Sequence, residues 1–401
     1  MIGHLSPEEA EEAERIFSEQ GVHGYLPYLK QKQEQWKTVP LNVGIIGDSG
    51  CGKSTFINTV RGLFADDPGA AEIGCSETTR YPTPYMHPDN EQLKFWDLPG
   101  MGTINFAQDK YLEQIVFGEP YDFYLILTES RFSERDGWLG NEIQKKGKKF
   151  YYVRTKMGSS IENDLKGYRN KAAYDINKTI KRVRDEIQEN LAAIGCEAPY
   201  FLIDSYERTN PRFEFNQLEQ TLITNLPKLK KEAMVLTLGT FSADMLSRKI
   251  EILRSRIWKI SAASMVVALV PIPGLSIVTD LGLVLAESQF YYRTLGLDLK
   301  SLAKLARMSG RPSAELEQIV SRHIPVRMLT ISGIKELLKI LPAAAAENVA
   351  EEFLRFVPLL GPLISAPLSF GGTYISLKFI LDRMEAAAKE VIEASLQDFN
   401  D

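Results

Sequence analysis

The sequence predicts a doubly wound, mostly parallel α/β domain joined to an all-α domain, and three observations carry that expectation. An apolar run, Leu41 to Ile46, leads straight into a glycine-rich loop that opens a helix. Short apolar runs then alternate with amphipathic stretches, the texture of strand–helix–strand units over a parallel sheet. Beyond Leu226-Pro227 the strand patterns stop and only helical periodicity continues. The expected segments are 1–38, a helical piece packing on the C-terminal helices; 39–228, the α/β domain; and 229–401, the helical domain.

The elements follow in order. Ser6-Pro7-Glu8-Glu9 opens the first helix, with Ser6 as cap, Pro7 in the first turn and Glu9 closing a capping box. Gly21 is its expected stop, and a second short helix spans Tyr25 to Trp36, ended by Pro40. After the strand Leu41–Ile46, Gly52 to Leu63 reads as helix. Leu93–Trp96, Phe123–Thr128, Phe150–Arg154 and Tyr200–Ile203 read as strands, and Lys178–Ala193 as a charged amphipathic helix. Met245–Trp258, Ala286–Leu295, Ser301–Met308 and Ala314–Ser321 read as helices of the second domain.

Composition narrows the function classes. At 401 residues the chain is too long for one compact core. Apolar residues at 44% and charged residues at 25% describe a globular chain and exclude a disordered one. A net charge of −5 with interspersed signs gives no reason to expect a nucleic-acid partner. Cys51, Cys75 and Cys196 are too few for a disulfide framework and suit a reducing compartment. His4, His23, His87 and His323 lack metal-ligand spacing. Met1 to Gln20 has no secretory pattern, and Ile2 stands where a myristoyl acceptor glycine is needed, so a cytoplasmic protein is expected.

The chemistry concentrates in a few loops. Gly47-Asp48-Ser49-Gly50-Cys51-Gly52-Lys53-Ser54 follows a strand and opens a helix, the setting a phosphate-binding loop requires. Glycines let backbone N–H groups wrap phosphates, and the helix dipole favours the negative charge. The candidate nucleotide contacts are therefore Asp48, Ser49, Gly50, Cys51, Gly52, Lys53 and Ser54, with Thr55 behind them. Lys53 is expected to reach the outer phosphates, and the Ser54 hydroxyl to ligate Mg2+. Asp97-Leu98-Pro99-Gly100 ends a strand; Asp97 is the expected carboxylate for the Mg2+ shell, and the Gly100 N–H the expected sensor of a γ-phosphate. Between them, in the polar loop Glu77-Thr78-Thr79, a threonine is needed to complete that shell; Thr79 is the first choice and Thr78 the reserve. Met101 follows Gly100, and a thioether cannot orient an attacking water, so turnover is slow or the missing group comes from elsewhere.

Base recognition is expected from Thr155-Lys156-Met157-Gly158. Lys156 can lie along a base. Gly158, however, stands where an aspartate would accept from guanine's N–H groups as a bidentate, charge-assisted pair. Ser159 and Ser160 are neutral and Asp164 is remote, so no neighbour is in register to replace it. Restoring a carboxylate with Gly158→Asp is expected to raise GTP affinity by about five- to 150-fold. The Asp204-Ser205 loop is the next candidate if another residue reads the base.

Two apolar runs remain. Phe356 to Leu377 carries no charge but is broken by Pro358, Gly361, Pro362, Pro367, Gly371 and Gly372; a buried helical hairpin is expected ahead of a span, with insertion into one leaflet as a third option. Ile260 to Leu285 is similar, with Asp280 and a Pro271-Ile272-Pro273-Gly274 break, and core packing is expected there.

On these residues the chain resembles the immunity-related GTPases, the interferon-inducible, dynamin-like family. The resemblance is carried by Gly47 to Ser54 with Thr55-Phe56-Ile57-Asn58 and Arg61-Gly62, by Pro84-Tyr85-Met86-His87-Pro88 and by Trp96 to Gly100. Asp109 to Leu112, Tyr121-Asp122-Phe123, Phe150 to Lys156, Asp298 and Ser301 to Ala306 match as well. The C-terminal Pro- and Gly-rich run is more similar to the constitutively expressed, non-myristoylated branch. The resemblance implies a Ras-like domain with a composite N- and C-terminal helical domain, GTP and GDP with Mg2+, and a role in innate immunity. It also implies self-assembly through the nucleotide face, hetero-partners from the same family, and peripheral association with intracellular membranes. Glu77, two positions before Thr79, matches the family's switch glutamate for activation in trans. Two function classes stay open: a self-assembling GTPase, or a nucleotide-binding-impaired scaffold acting through membranes or partners.

Overall fold

The structure, a computed structural model, describes residues 7–74, 81–100, 111–130, 133–193, 195, 198–268, 275–340 and 366–396. It divides into two compact units, 37–238 and the pair 1–36 with 239–398.

The first unit holds a six-stranded sheet: β1 (Leu41–Ile46), β2 (Thr83–His87), β3 (Asn90–Asp97), β4 (Phe123–Thr128), β5 (Lys149–Arg154) and β6 (Tyr200–Leu202). Their spatial order is β2-β3-β1-β4-β5-β6, with only the β2–β3 pair antiparallel. The helices are α2 (Lys53–Val60), α3 (Glu134–Lys145), α4 (Met157–Lys166), α5 (Ile176–Ala193), α6 (Phe215–Thr224) and α7 (Lys228–Thr237); α1 (Pro7–Glu34) belongs to the other unit. Leu41, Val43, Ile45 and Ile46 of β1 are all buried, as a parallel strand covered on both faces must be. Strand order reverses at β1, and such a switch point opens a crevice at the carboxyl ends of the strands.

Three differences from the sequence expectation appear in this unit. Thr83 to His87, not among the expected strands, forms an edge strand; Pro84 is tolerated because an edge has one unpaired side. The last strand stops at Leu202, one residue short of the expected Ile203. The unit ends at 238/239 and not at Leu226-Pro227, because Met234 and Leu238 at the end of α7 face the same small cavity as Phe56, Phe95, Leu125 and Phe215 of the sheet domain.

Among the described residues the second unit holds helices and no strand: α1 (Pro7–Glu34), α8 (Ala243–Ala268), α9 (Leu275–Thr294), α10 (Leu299–Ser309), α11 (Ser313–His323), α12 (Ile331–Ile340) and α13 (Ala366–Leu396). Gly21, at φ 60° and ψ −151°, is non-helical, so α1 is two helices meeting at a kink where the sequence places a stop. Arg256 of α8 joins three helices: its Nε donates to Glu287 Oε1 of α9 at 2.8 Å, and its Nη1 to the Gln33 carbonyl of α1 at 2.8 Å. The N-terminal helix is thereby fixed to C-terminal ones.

Gly371 and Gly372 were expected as breaks, yet both lie inside the continuous α13, where Pro367 takes the second position of the helix. Pro358, Gly361 and Pro362 lie outside the described residues, as does the Pro271 to Gly274 break. Among the described residues, no helix is long and apolar enough to cross a membrane.

Candidate functional site

The phosphate loop spans the end of β1 and the start of α2. Gly50 and Gly52 adopt φ of 83° and 94°, a left-handed conformation that side chains resist. Gly47 is fixed for another reason: a Cβ there would lie 2.4 Å from the Leu127 carbonyl oxygen. Asp48, Ser49 and Gly50 are exposed at the loop's tip, whereas Cys51 is buried beneath it. The Lys53 ammonium bends back over the loop and donates to the carbonyls of Gly47 at 2.8 Å and Asp48 at 3.2 Å. Ser54 and Thr55 stand half-buried in the first turn of α2.

β3 brings the second loop alongside. Parallel pairing sets Asp97 opposite Ile45, and the Leu98 N–H donates to the Ile45 carbonyl at 2.9 Å. Asp97 is buried at this strand end, next to the loop that Ile46 enters. A Cβ on Gly100 would meet the Gly47 carbonyl oxygen at 2.8 Å, so the backbones of the two loops touch. The buried Tyr111 hydroxyl donates to the Pro99 carbonyl at 2.7 Å and holds this loop from outside the motif. Glu77, Thr78, Thr79 and Met101 lie outside the described residues. A hydroxyl from Ser54 and a carboxylate from Asp97 are hard oxygen donors of the kind Mg2+ accepts, few in number because phosphates and waters supply the rest of its shell.

The base-side loop leaves β5. The buried Thr155 hydroxyl donates to the Cys51 carbonyl at 2.6 Å and lies 3.1 Å from that of Thr128, which ties base loop to phosphate loop. Lys156 is the one non-glycine residue with positive φ among those described, at 54°, and its ammonium pairs with Glu129 at the end of β4. A β-carbon-bearing residue held there is strain of the sort that collects at functional sites.

Gly158 corrects the sequence reading. Its N–H donates to Asp204 Oδ2 at 2.8 Å, and a Cβ placed on it would lie 2.7 Å from Glu207 Oε1 and 3.0 Å from Asp204 Oδ2. Two carboxylates from the loop after β6 therefore stand at the position thought to lack any. Asp164 is elsewhere engaged, accepting from Thr179 and pairing with Arg182 at 2.9 Å. The Ser205 carbonyl accepts from the Thr59 hydroxyl at 3.0 Å, which joins this loop to α2.

Glu129, Glu207 and Arg208 escaped the sequence reading. Arg208 is fully buried; its Nη1 donates to the Thr59 carbonyl at 2.7 Å and its Nη2 pairs with Glu219 of α6. Desolvation lowers the pKa of its guanidinium, an effect the Glu219 charge opposes. An arginine in a polar stretch carries no mark of burial in sequence.

A family model described as Interferon-inducible GTPase (IIGP) matches residues 6–338. Interferon-inducible GTPase 5 of Rattus norvegicus is 33% identical over 396 residues, covering 98% of this chain and 84% of that protein. Interferon-gamma-inducible GTPase 10 of Mus musculus is 30% identical over 403 residues, covering 98% of this chain and 91% of that one.

Proposed function

The chain belongs to the interferon-inducible GTPase family and is a GTPase, and on that premise we propose that it binds GTP and GDP with Mg2+ and hydrolyses GTP faster when copies assemble. The observation that carries the reading is the convergence of three loops at the carboxyl ends of β1, β3 and β5: Gly100 against Gly47, and Thr155 bonded to Cys51. Loop N–H groups and Lys53 would hold the phosphates, Lys53 exchanging its two carbonyl acceptors for phosphate oxygens. Ser54 and Asp97 would hold Mg2+, with Thr79 completing the set; the ion's part is to neutralise charge on the outer phosphates. The Gly100 N–H would mark the γ-phosphate. Met101 brings no water-orienting group, so a second copy docking on the nucleotide face is the proposed supplier, with Glu77 as the residue acting across it.

The test is GTP hydrolysis at saturating nucleotide, with Mg2+ and with a chelator, over a hundredfold range of protein concentration. Hydrolysis should need Mg2+, and specific activity should climb with concentration. Flat specific activity removes activation in trans, and no nucleotide binding removes the reading altogether.

Membrane association is proposed to be peripheral and to lie in the second unit, on the strength of the uncharged run from Phe356 to Leu377. Alkaline carbonate should release the protein from membranes; retention in the pellet would contradict peripheral binding.

A further inference from the structure

Guanine presents N1–H and the C2 amino group side by side, two donors that one carboxylate can accept together, next to a C6 carbonyl that wants a donor. Adenine presents a ring nitrogen acceptor at N1 and no C6 carbonyl. A GTPase therefore needs a fixed carboxylate at the base edge, and Gly158 supplies none from the loop after β5. The loop after β6 supplies two. Asp204 is only 5% exposed, and its position is set by two backbone donors: Gly158 N–H to Oδ2 at 2.8 Å and Tyr206 N–H to Oδ1 at 2.9 Å. Each oxygen keeps a further lone pair for a ligand. Glu207 accepts through Oε2 from Asn210 Nδ2 at 2.6 Å, while its Oε1 fills the space a side chain at 158 would enter.

This loop is held rigidly. Arg208 anchors it to the Thr59 carbonyl and to Glu219, and the Thr59 hydroxyl anchors Ser205. Neither Asp204 nor Glu207 has a cationic partner among the described residues, since Lys156 pairs with Glu129 and Arg208 with Glu219. With no cation competing for them, the free lone pairs of Asp204 remain available to donors on a ligand. Beside it, the Ser205 N–H has no acceptor among the described residues and matches a carbonyl at C6.

Resting on the GTPase reading, we propose that Asp204 is the specificity-determining carboxylate of this protein, reading guanine N1–H and the C2 amino group from the β6 side in place of a residue at position 158. Glu207 walls the site and is not itself the reader.

The experiment measures affinity for GTP, XTP and ATP by competition against a fluorescent GDP, in the full chain and in Asp204→Asn and Glu207→Gln. An amide at 204 still accepts from N1–H but offers its amino group toward C2, where xanthine carries a carbonyl. Asp204→Asn should lower GTP affinity by about tenfold or more and raise XTP affinity by a similar factor. Glu207→Gln should leave the GTP-to-XTP ratio within about threefold. An unchanged ratio in Asp204→Asn, a switch produced by Glu207→Gln instead, or a wild-type chain that binds all three nucleotides alike overturns the proposal. A wild-type chain that binds none overturns the GTPase reading beneath it, which is a different result. Should Asp204→Asn melt without folding, the double variant Gly158→Asp with Asp204→Ser returns the carboxylate to the β5 side. Recovery of the GTP preference supports the relocation, and its absence refutes it.

Discussion

The Thr155 hydroxyl and the Cys51 carbonyl, 104 residues apart in sequence, share a 2.6 Å hydrogen bond. Both groups are buried, so the bond is the structural joint between base loop and phosphate loop. Replacing Thr155 by Val keeps the shape and removes the donor. Leaving a buried carbonyl short of its partner should cost about 1–3 kcal/mol of stability. Affinities for GTP and GDP should fall together, since the loop geometry serves both. Urea unfolding and titration calorimetry on the same variant check the two effects; a loss confined to GTP would contradict a joint role.

Lys53→Ala should abolish nucleotide binding while the protein stays folded. Among the described residues the ammonium bonds to two carbonyls, of the buried Gly47 and the exposed Asp48, whose loop is shaped by its own glycines, so its removal costs the fold little. Calorimetry on a variant with a wild-type melting temperature decides the point. Undiminished affinity there would remove Lys53 from the phosphate site.

Gly158→Asp is now expected to fail as a gain of function, contrary to the sequence expectation. Its Cβ would meet Asp204 Oδ2 at 3.0 Å and Glu207 Oε1 at 2.7 Å. Glu207 can swing aside, but Asp204 is fixed by two N–H donors, and three carboxylates would then crowd one site. A loss of about 1–3 kcal/mol in stability should appear, with no rise in GTP affinity. A five-fold or greater gain in GTP binding would restore the simpler reading of position 158.

Gly100→Ala tests the contact between the second loop and the phosphate loop. The 2.8 Å approach to the Gly47 carbonyl is to backbone, which cannot rotate away. One loop must shift, and the N–H proposed to sense the γ-phosphate shifts with it. Steady-state hydrolysis should drop by about tenfold or more, with GDP affinity less affected than GTP affinity. Equal kcat in variant and wild type would show that the N–H of residue 100 has no part in turnover.

Alkaline pH should weaken the fold. Burial pushes the Cys51 thiol up to about 11 and the Tyr25 phenol up to about 12, and it raises Tyr111, Tyr121 and Tyr124 as well. In each case the folded state prefers the neutral form. The Cys51 contribution is therefore complete below its ordinary value of 9.0 and is lost as pH rises from there through about 11. Urea midpoints should fall between pH 9 and 11, less steeply in Cys51→Ala. A flat midpoint over that range would contradict the assignment.

Much of the molecule is written in short stretches of chain. The strand Leu41–Ile46, the loop that follows and the first turn of α2 are contiguous, and their chemistry depends on backbone N–H groups and positive φ at Gly50 and Gly52. Such features need no distant partner, so glycine spacing after an apolar run was enough to find them. Asp97 was legible for the same reason, being a carboxylate at a strand end. The edge strand Thr83–His87 was not, because its proline and polar residues describe a loop equally well until β3 pairs with it.

On the base side the sequence offered Thr155-Lys156 and, in reserve, the Asp204-Ser205 loop, but what stands beside Gly158 was decided only by tertiary structure. Parallel pairing sets Tyr152 against Tyr200, Val153 against Phe201 and Arg154 against Leu202, so the loops leaving β5 and β6 emerge side by side. Gly158 and Asp204 are 46 residues apart, and no local pattern relates them. The sequence determined by itself that a carboxylate was missing after Lys156. Sheet register, together with the buried Arg208–Glu219 pair that holds the loop after β6 to α6, decided which carboxylates stand in its place. A hydrogen bond depends on distance in space, and between these two loops that distance is set by strand pairing and by the contacts of Arg208 and Thr59 with the loop after β6.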